Sequence, residues 1–81
     1  MKVRVRLFAA LREAAGMAQM EVELPSQARV QDLMDSLALQ YPALRSQLDF
    51  VRAAVNRQYV SPTAGLRDGD EVALVPPVCG G

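Results

Sequence analysis

Val30, Leu33, Met34, Leu37, Ala38 and Tyr41 recur at the spacing i, i+3, i+4, i+7, i+8 and i+11. No other feature constrains the fold as much. That spacing gathers apolar side chains on one face of an α-helix. Pro42 disfavours the helical conformation at Tyr41 and so ends the helix there. Its start is less sharply marked, because neither Ala28 nor Arg29 offers a good capping side chain. An apolar stripe must be buried against something, and the chain supplies segments with a period of two. Residues 2–8, Lys-Val-Arg-Val-Arg-Leu-Phe, put Val3, Val5 and Leu7 on one face and Lys2, Arg4, Arg6 and Phe8 on the other. Residues 19–24 alternate too, with Met20, Val22 and Leu24 inward. Both segments read as half-buried strands. If they pair, Arg4 and Arg6 face Glu21 and Glu23.

The rest of the chain fits the same plan. Residues 9–15 predict a short helical turn stopped by Gly16. Residues 43–50 read as a connector with a helical turn around Leu44 and Leu48. Residues 52–60 predict two short strands that turn at Asn56-Arg57. Asp68-Gly69-Asp70 marks a turn before a last strand at 71–75, which has Val72 and Leu74 on one face. Pro76-Pro77 ends that strand, since proline donates nothing to a sheet ladder. One sheet packed on one main helix is a two-layer α+β domain. The domain spans residues 1–75, followed by a tail at 76–81.

Size and composition narrow the function. A chain of 81 residues suits one domain and cannot easily enclose a large active-site cavity. Nine basic and nine acidic residues leave no net charge, which argues against non-specific nucleic-acid binding. No segment approaches the length of a membrane span, and the first residues lack the apolar block of a signal peptide. One cysteine and no histidine argue against an internal disulfide, a cysteine-rich zinc site and the usual general base. The five glycines form no phosphate-binding loop. The expectation is a cytoplasmic protein with no metal, no cofactor bound by the chain itself and no catalytic site of its own.

The tail, Pro76-Pro77-Val78-Cys79-Gly80-Gly81, is the informative remainder. Two prolines stiffen its exit, and fully extended it reaches about 20 Å. Gly80 and Gly81 have no Cβ, so they can thread a narrow channel. Such a tail can deliver a terminal carboxylate into another protein's active site. A carboxylate is a poor electrophile until it is coupled to AMP, which supplies a leaving group. A sulfur nucleophile can then displace AMP and leave a thiocarboxylate. None of these steps needs a catalytic side chain on the carrier.

These residues resemble the small subunit of molybdopterin synthase, a family of ubiquitin-like sulfur carriers. The likeness spans nearly the whole chain. It is carried by Leu7-Phe8-Ala9 with Leu11-Arg12-Glu13 and Gly16, by Ala53-Ala54-Val55-Asn56, by Leu66 with Asp68-Gly69-Asp70-Glu71-Val72-Ala73, and above all by Pro76-Pro77-Val78 with Gly80-Gly81. Thiamine-pathway carriers share the Gly-Gly end but match the inner segments less. The resemblance implies a β-grasp fold with a mixed sheet. It also implies three protein partners: an E1-like adenylating enzyme that uses ATP, a sulfur donor, and the large synthase subunit. In the synthase, a heterotetramer, sulfur passes to cyclic pyranopterin monophosphate to make molybdopterin. Gly81 would carry the adenylate and then the sulfur, with Gly80 giving clearance.

Strand parity independently places Phe8, Tyr59 and Val75 on the outward sheet face beside the tail. With Pro76, Pro77 and Val78 they form a candidate partner-binding surface. Arg45, Arg52 and Arg57 are candidates to steer an acidic partner, which the sequence leaves open. Cys79 reads as a small tail residue, Met34 as core, and Arg12-Glu13 as a surface pair or partner contact. Asp68-Gly69-Asp70 reads as a turn and not a metal site. Two other functions remain in view. One is a sulfur carrier for thiamine, tRNA thiolation or cysteine synthesis; the other is a β-grasp interaction module whose tail does no chemistry.

Overall fold

The computed structural model describes residues 1–76; Pro77, Val78, Cys79, Gly80 and Gly81 lie outside the described residues. The alternating segments form strands β1 (Lys2–Leu7) and β2 (Gln19–Glu23), joined through α1 (Ala9–Ala15). The apolar stripe forms α2 (Val30–Gln40). A 3₁₀ turn at Pro42–Leu44 and a short helix, α3 (Arg45–Leu48), lead into β3 (Arg52–Val55), β4 (Gln58–Val60) and β5 (Glu71–Val75). The sheet order is β2-β1-β5-β3-β4. β5 runs parallel to β1 and antiparallel to β3, and the two hairpin pairs are antiparallel, so the sheet is mixed.

The strands bury the faces that their parity requires. Val3, Val5, Leu7, Val22, Val72 and Leu74 pack with Val30, Leu33, Met34 and Leu37 of α2 into one core. Leu11 of α1, Leu44 and Leu48 close its ends. Each large aliphatic side chain removed from water in this way contributes about 1.5–3 kcal/mol.

Local signals end the elements as expected. Gly16 adopts φ 77°, and its N–H donates to Arg12 O at 2.9 Å, closing α1. Asn56 and Arg57 take φ 49° and 72°, the left-handed pair of a tight hairpin turn that matches strand twist. Tyr41 leaves the helical region at φ −129° and ψ 80°, one residue before Pro42.

Two details differ from the sequence expectation. Arg4 does face Glu21, but Glu23 lies opposite Lys2, and Arg6 lies opposite Gln19. The antiparallel register shifts the outer arginine past the end of the acidic pair. Arg6 instead reaches across to Glu71 of β5 at 3.6 Å. The start of α2 is the second difference. Arg29 occupies the cap position without capping through its side chain. Its own N–H donates to Asp32 Oδ2 at 2.8 Å, while Val30 and Gln31 donate to the carbonyls of Ala64 and Pro62 at 3.0 and 2.9 Å. The loop before β5 therefore does the work that a capping side chain would do.

Replacing Leu37, fully buried on α2, with Ala should lower the unfolding free energy by about 2–5 kcal/mol in urea titrations. Leu39→Ala, two positions on and 77% exposed, should change it by less than about 0.5 kcal/mol. Equal losses at the two positions would mean that the apolar stripe is not the buried face.

Candidate functional site: the outer sheet face and the root of the tail

The site begins with β5, because this strand leads into the tail. It has a neighbour on each side: Arg4 to Leu7 pair with Glu71 to Leu74, and Arg52 to Val55 pair with Val75 to Val72. Its inner side chains, Val72 and Leu74, have no exposed surface. Its start is tied down by polar groups. Asn56 Oδ1 accepts from Glu71 N–H at 3.1 Å, and Asn56 Nδ2 donates to Asp70 Oδ1 at 3.0 Å. Asp70 Oδ2 accepts from Arg67 N–H at 2.8 Å. Asp68 Oδ1 accepts from Lys2 N–H at 2.7 Å, and Gly69 N–H donates back to Lys2 O at 2.8 Å. These bonds account for both aspartates around Gly69 as turn residues. Among the described residues, no group of three acidic, cysteine or histidine side chains is placed to hold a metal ion.

The outer face can be read from the register. Phe8 follows Leu7, the partner of Leu74, and so leaves β1 at the level where Val75 follows Leu74 in β5. Val75 is paired on its other side with Arg52. One step towards the middle of the sheet, Arg6, Ala73, Ala54 and Tyr59 form a continuous cross-strand row. Phe8 and Val75 thus lie at the same end of neighbouring strands. Tyr59 is not beside them: two alanines form a shallow floor between it and β1. Phe8 and Tyr59 are 38% and 64% exposed, and Val75 and Pro76 are partly exposed at the tail root. The guanidinium of Arg6 lies 5.7 Å from the Phe8 ring centroid and close to Glu71, holding the aromatic edge of the face.

The alanine floor was not singled out by sequence reasoning, although strand parity places Ala54 and Ala73 outward with Tyr59 and Val75. Leu39 of α2 and Phe50, in the turn between α3 and β3, 77% and 67% exposed, were also missed. Of the proposed site residues, Pro77, Val78, Gly80 and Gly81 lie outside the described residues, as does Cys79. Arg52 opens β3, Arg45 opens α3 and Arg57 belongs to the hairpin turn. Among the described residues, no helix is long and apolar enough to cross a membrane.

With this geometry in hand, the chain can be set beside known proteins. Residues 5–81 match the model of the ThiS family. The molybdopterin synthase sulfur carrier subunit of Chlamydomonas reinhardtii is 40% identical, with all of both chains aligned. The crystal structure of SAMP1 from Haloferax volcanii superposes with a TM-score of 0.91 at 32% identity, again covering both chains fully. A complex of subunits 1 and 2 of the molybdopterin-converting factor from Helicobacter pylori contains a chain that superposes with a TM-score of 0.73 at 26% identity, covering 100% of each. The chain belongs to the ThiS family, and its fold is the ubiquitin-like β-grasp.

The Asn56 bonds make a prediction about how firmly the tail root is held. Asn56→Ala should cost about 1–3 kcal/mol, since it removes both side-chain bonds and leaves a β-carbon at positive φ. Asn56→Gly should lose less, because glycine tolerates that φ. Chemical denaturation of the two variants would check the order; a more stable Ala variant would contradict it.

Proposed function

We propose that this chain is the sulfur carrier of molybdenum cofactor biosynthesis, and that its own C-terminal glycine is the reagent. One observation carries the reading. β5, buried on one face and paired on both sides, ends at Val75 one residue before Pro76, and six residues later the sequence ends in Gly80-Gly81. A rigid platform beside a clearance-optimised terminus suits delivery of that terminus into a partner's active site.

The chemistry balances without help from the chain's side chains. An E1-like enzyme directs the Gly81 carboxylate oxygen onto the α-phosphorus of ATP, releasing pyrophosphate and leaving a glycyl adenylate. A sulfur donor attacks the acyl carbon; the acyl–oxygen bond breaks and AMP departs. Where the donor sulfur is the outer atom of a persulfide, a second thiol on the donor then attacks the inner sulfur, the S–S bond breaks to leave a disulfide on the donor, and the product is a thiocarboxylate whose sulfur is a better nucleophile than a carboxylate oxygen. In the large synthase subunit this sulfur attacks cyclic pyranopterin monophosphate to give a thioester, and water cleaves the acyl–sulfur bond, leaving the sulfur on the pterin and the glycine again a carboxylate. Each tail carries one sulfur and the dithiolene needs two. Two carrier loadings per molybdopterin are therefore required, consistent with a heterotetramer of two small and two large subunits.

The outer face would dock the large subunit. Phe8, Val75 and Tyr59 around a floor of alanines give a shallow apolar surface that a convex partner can fill, with Pro76, Pro77 and Val78 leading from it to the active site. The two-subunit composition of the Helicobacter pylori complex supports such a partner. The likeness to SAMP1 supports a second reading, a ubiquitin-like carrier that serves a different acceptor.

Deleting Gly81 should abolish sulfur transfer to the pterin while leaving the denaturation midpoint unchanged. Protein made beside its activating enzyme should carry sulfur in its C-terminal fragment. Localisation by fragment mass is essential, because exchanging oxygen for sulfur adds nearly the same mass as oxidising one of the four methionines. A truncated chain that still supports molybdopterin formation with purified partners would refute the proposal.

A further inference from the structure

Arg52 differs from the other cations of the outer face. Arg4 lies opposite Glu21. Arg6 lies within 3.6 Å of Glu71 and against the Phe8 ring. Arg4 thus has acidic cross-strand neighbours, Glu21 and Glu71, and Arg6 has an ion pair that a partner can cover. Arg52 has no such arrangement. It is exposed, it pairs across the sheet with Val75, and Arg6–Glu71 is the only ion pair among the described residues. Its same-face neighbours are apolar: Val75 directly opposite on β5, and Tyr59 diagonally placed on β4. Arg52 and Tyr59 also line a groove of about 310 Å³ together with Met34, Val51, Ser61 and Pro62. In water, an exposed guanidinium beside apolar groups costs little. Under a docked partner it would lose its hydration, and an uncompensated buried charge is strongly unfavourable.

We propose that Arg52 is a specificity-determining docking residue, and that the partner surface covering Val75 presents a carboxylate to its guanidinium. This rests on the reading that the outer face docks the large synthase subunit, and it adds the chemistry that this subunit must carry. Arginine suits the role because its fork of donors can hold a carboxylate by two parallel hydrogen bonds, which fixes direction as well as distance. The direction matters at this position. A partner clamped at Arg52 is clamped at the cross-strand neighbour of the last residue of β5. The tail then leaves the sheet at a defined angle to the partner. A carrier whose outer face matched in shape, but whose partner lacked the acidic group, would leave a bare charge in the interface. The same residue that orients the correct partner therefore rejects an incorrect one.

The test is the affinity of the full chain for the large synthase subunit of the same organism, measured by calorimetry across a range of salt concentrations. Arg52→Gln should weaken binding by between about tenfold and a hundredfold, the range for losing a charge-assisted hydrogen bond, and should flatten the salt dependence. Arg52→Glu should weaken it further. Arg67→Gln makes the same change in net charge in the turn before β5, at the opposite end of that strand from Val75, and should bind within about twofold of the original chain. Thermal melts of all three variants should coincide with the parent, since each position is exposed. The chain's own terminal carboxylate is the competing partner for Arg52. A chain lacking residues 77–81 separates the two: with a partner carboxylate, the Arg52→Gln loss persists in the truncated chain. The inference is overturned if Arg52→Gln binds like the parent, or if its loss vanishes on truncation. A parent chain that does not bind the large subunit at all would sink the functional reading, and this inference with it.

Discussion

The parallel pairing of β1 with β5 is the interaction on which the rest of the molecule depends. It joins the first strand of the chain to the last, and it puts β5 in the middle of the sheet instead of at an edge. A strand at an edge frays readily, whereas a strand bonded on both sides opens only with much of the domain. The consequence is positional. Everything that leaves the C-terminal end of β5 starts from one of the least mobile places in the fold. The turn at residues 67–70 and the side chain of Asn56 pin the other end of the same strand, so its register cannot slip. A one-residue slip would turn Val72 and Leu74 out of the core and Ala73 and Val75 into it.

The same pairing explains how one layer serves both stability and recognition. The inner face is aliphatic and closed by α2. The outer face is divided along its length. At the Lys2 end it is charged, with Lys2 opposite Glu23, Arg4 opposite Glu21, and Arg6 in an ion pair with Glu71. Exposed pairs of this kind contribute less than about 1 kcal/mol each, so their value lies in keeping that half of the face hydrated and unattractive to apolar partners. At the Val75 end the face is mostly apolar, with Phe8, Ala73, Ala54 and Tyr59 on it and Arg52 as its exposed cation. A partner that buries apolar surface would therefore be guided to the half where β5 ends.

Much of this was legible in the sequence, and the reasons differ from part to part. The helix, the strands and their buried faces followed from two periodicities, because burial is enforced at each position by water. Turns at Gly16, Asn56 and Gly69 followed from residues that tolerate positive φ. What escaped was whatever depends on pieces distant in sequence. Parity could place Arg6 outward but could not say that it sits past Glu21 and beside Glu71, since that needs the register of β1 against two other strands. A poor cap at Arg29 looked like an uncertain boundary, because the carbonyls of Pro62 and Ala64 that complete it come from thirty-odd residues downstream. The separation of Tyr59 from Phe8 needed the strand order, which no local pattern contains.

A carrier of this kind faces a constraint that an enzyme does not. In the proposed function its reactive group would enter the active sites of other proteins, so it could not be held by a pocket of its own. Pre-organisation must then come from elsewhere, and there are only two places to put it: the root of the tail and the surface that a partner grips. The structure puts order in both. Pairing of β5 on both sides fixes the point where the tail begins, which in the proposed function would raise the effective concentration of the terminus at the partner's centre. Grip on the neighbouring face sets the angle of approach. Neither effect requires a nucleophile, a base or a metal on the globule. In the proposed function the chemistry would be left to the partners, and the side chains would serve the core, the face and the exit.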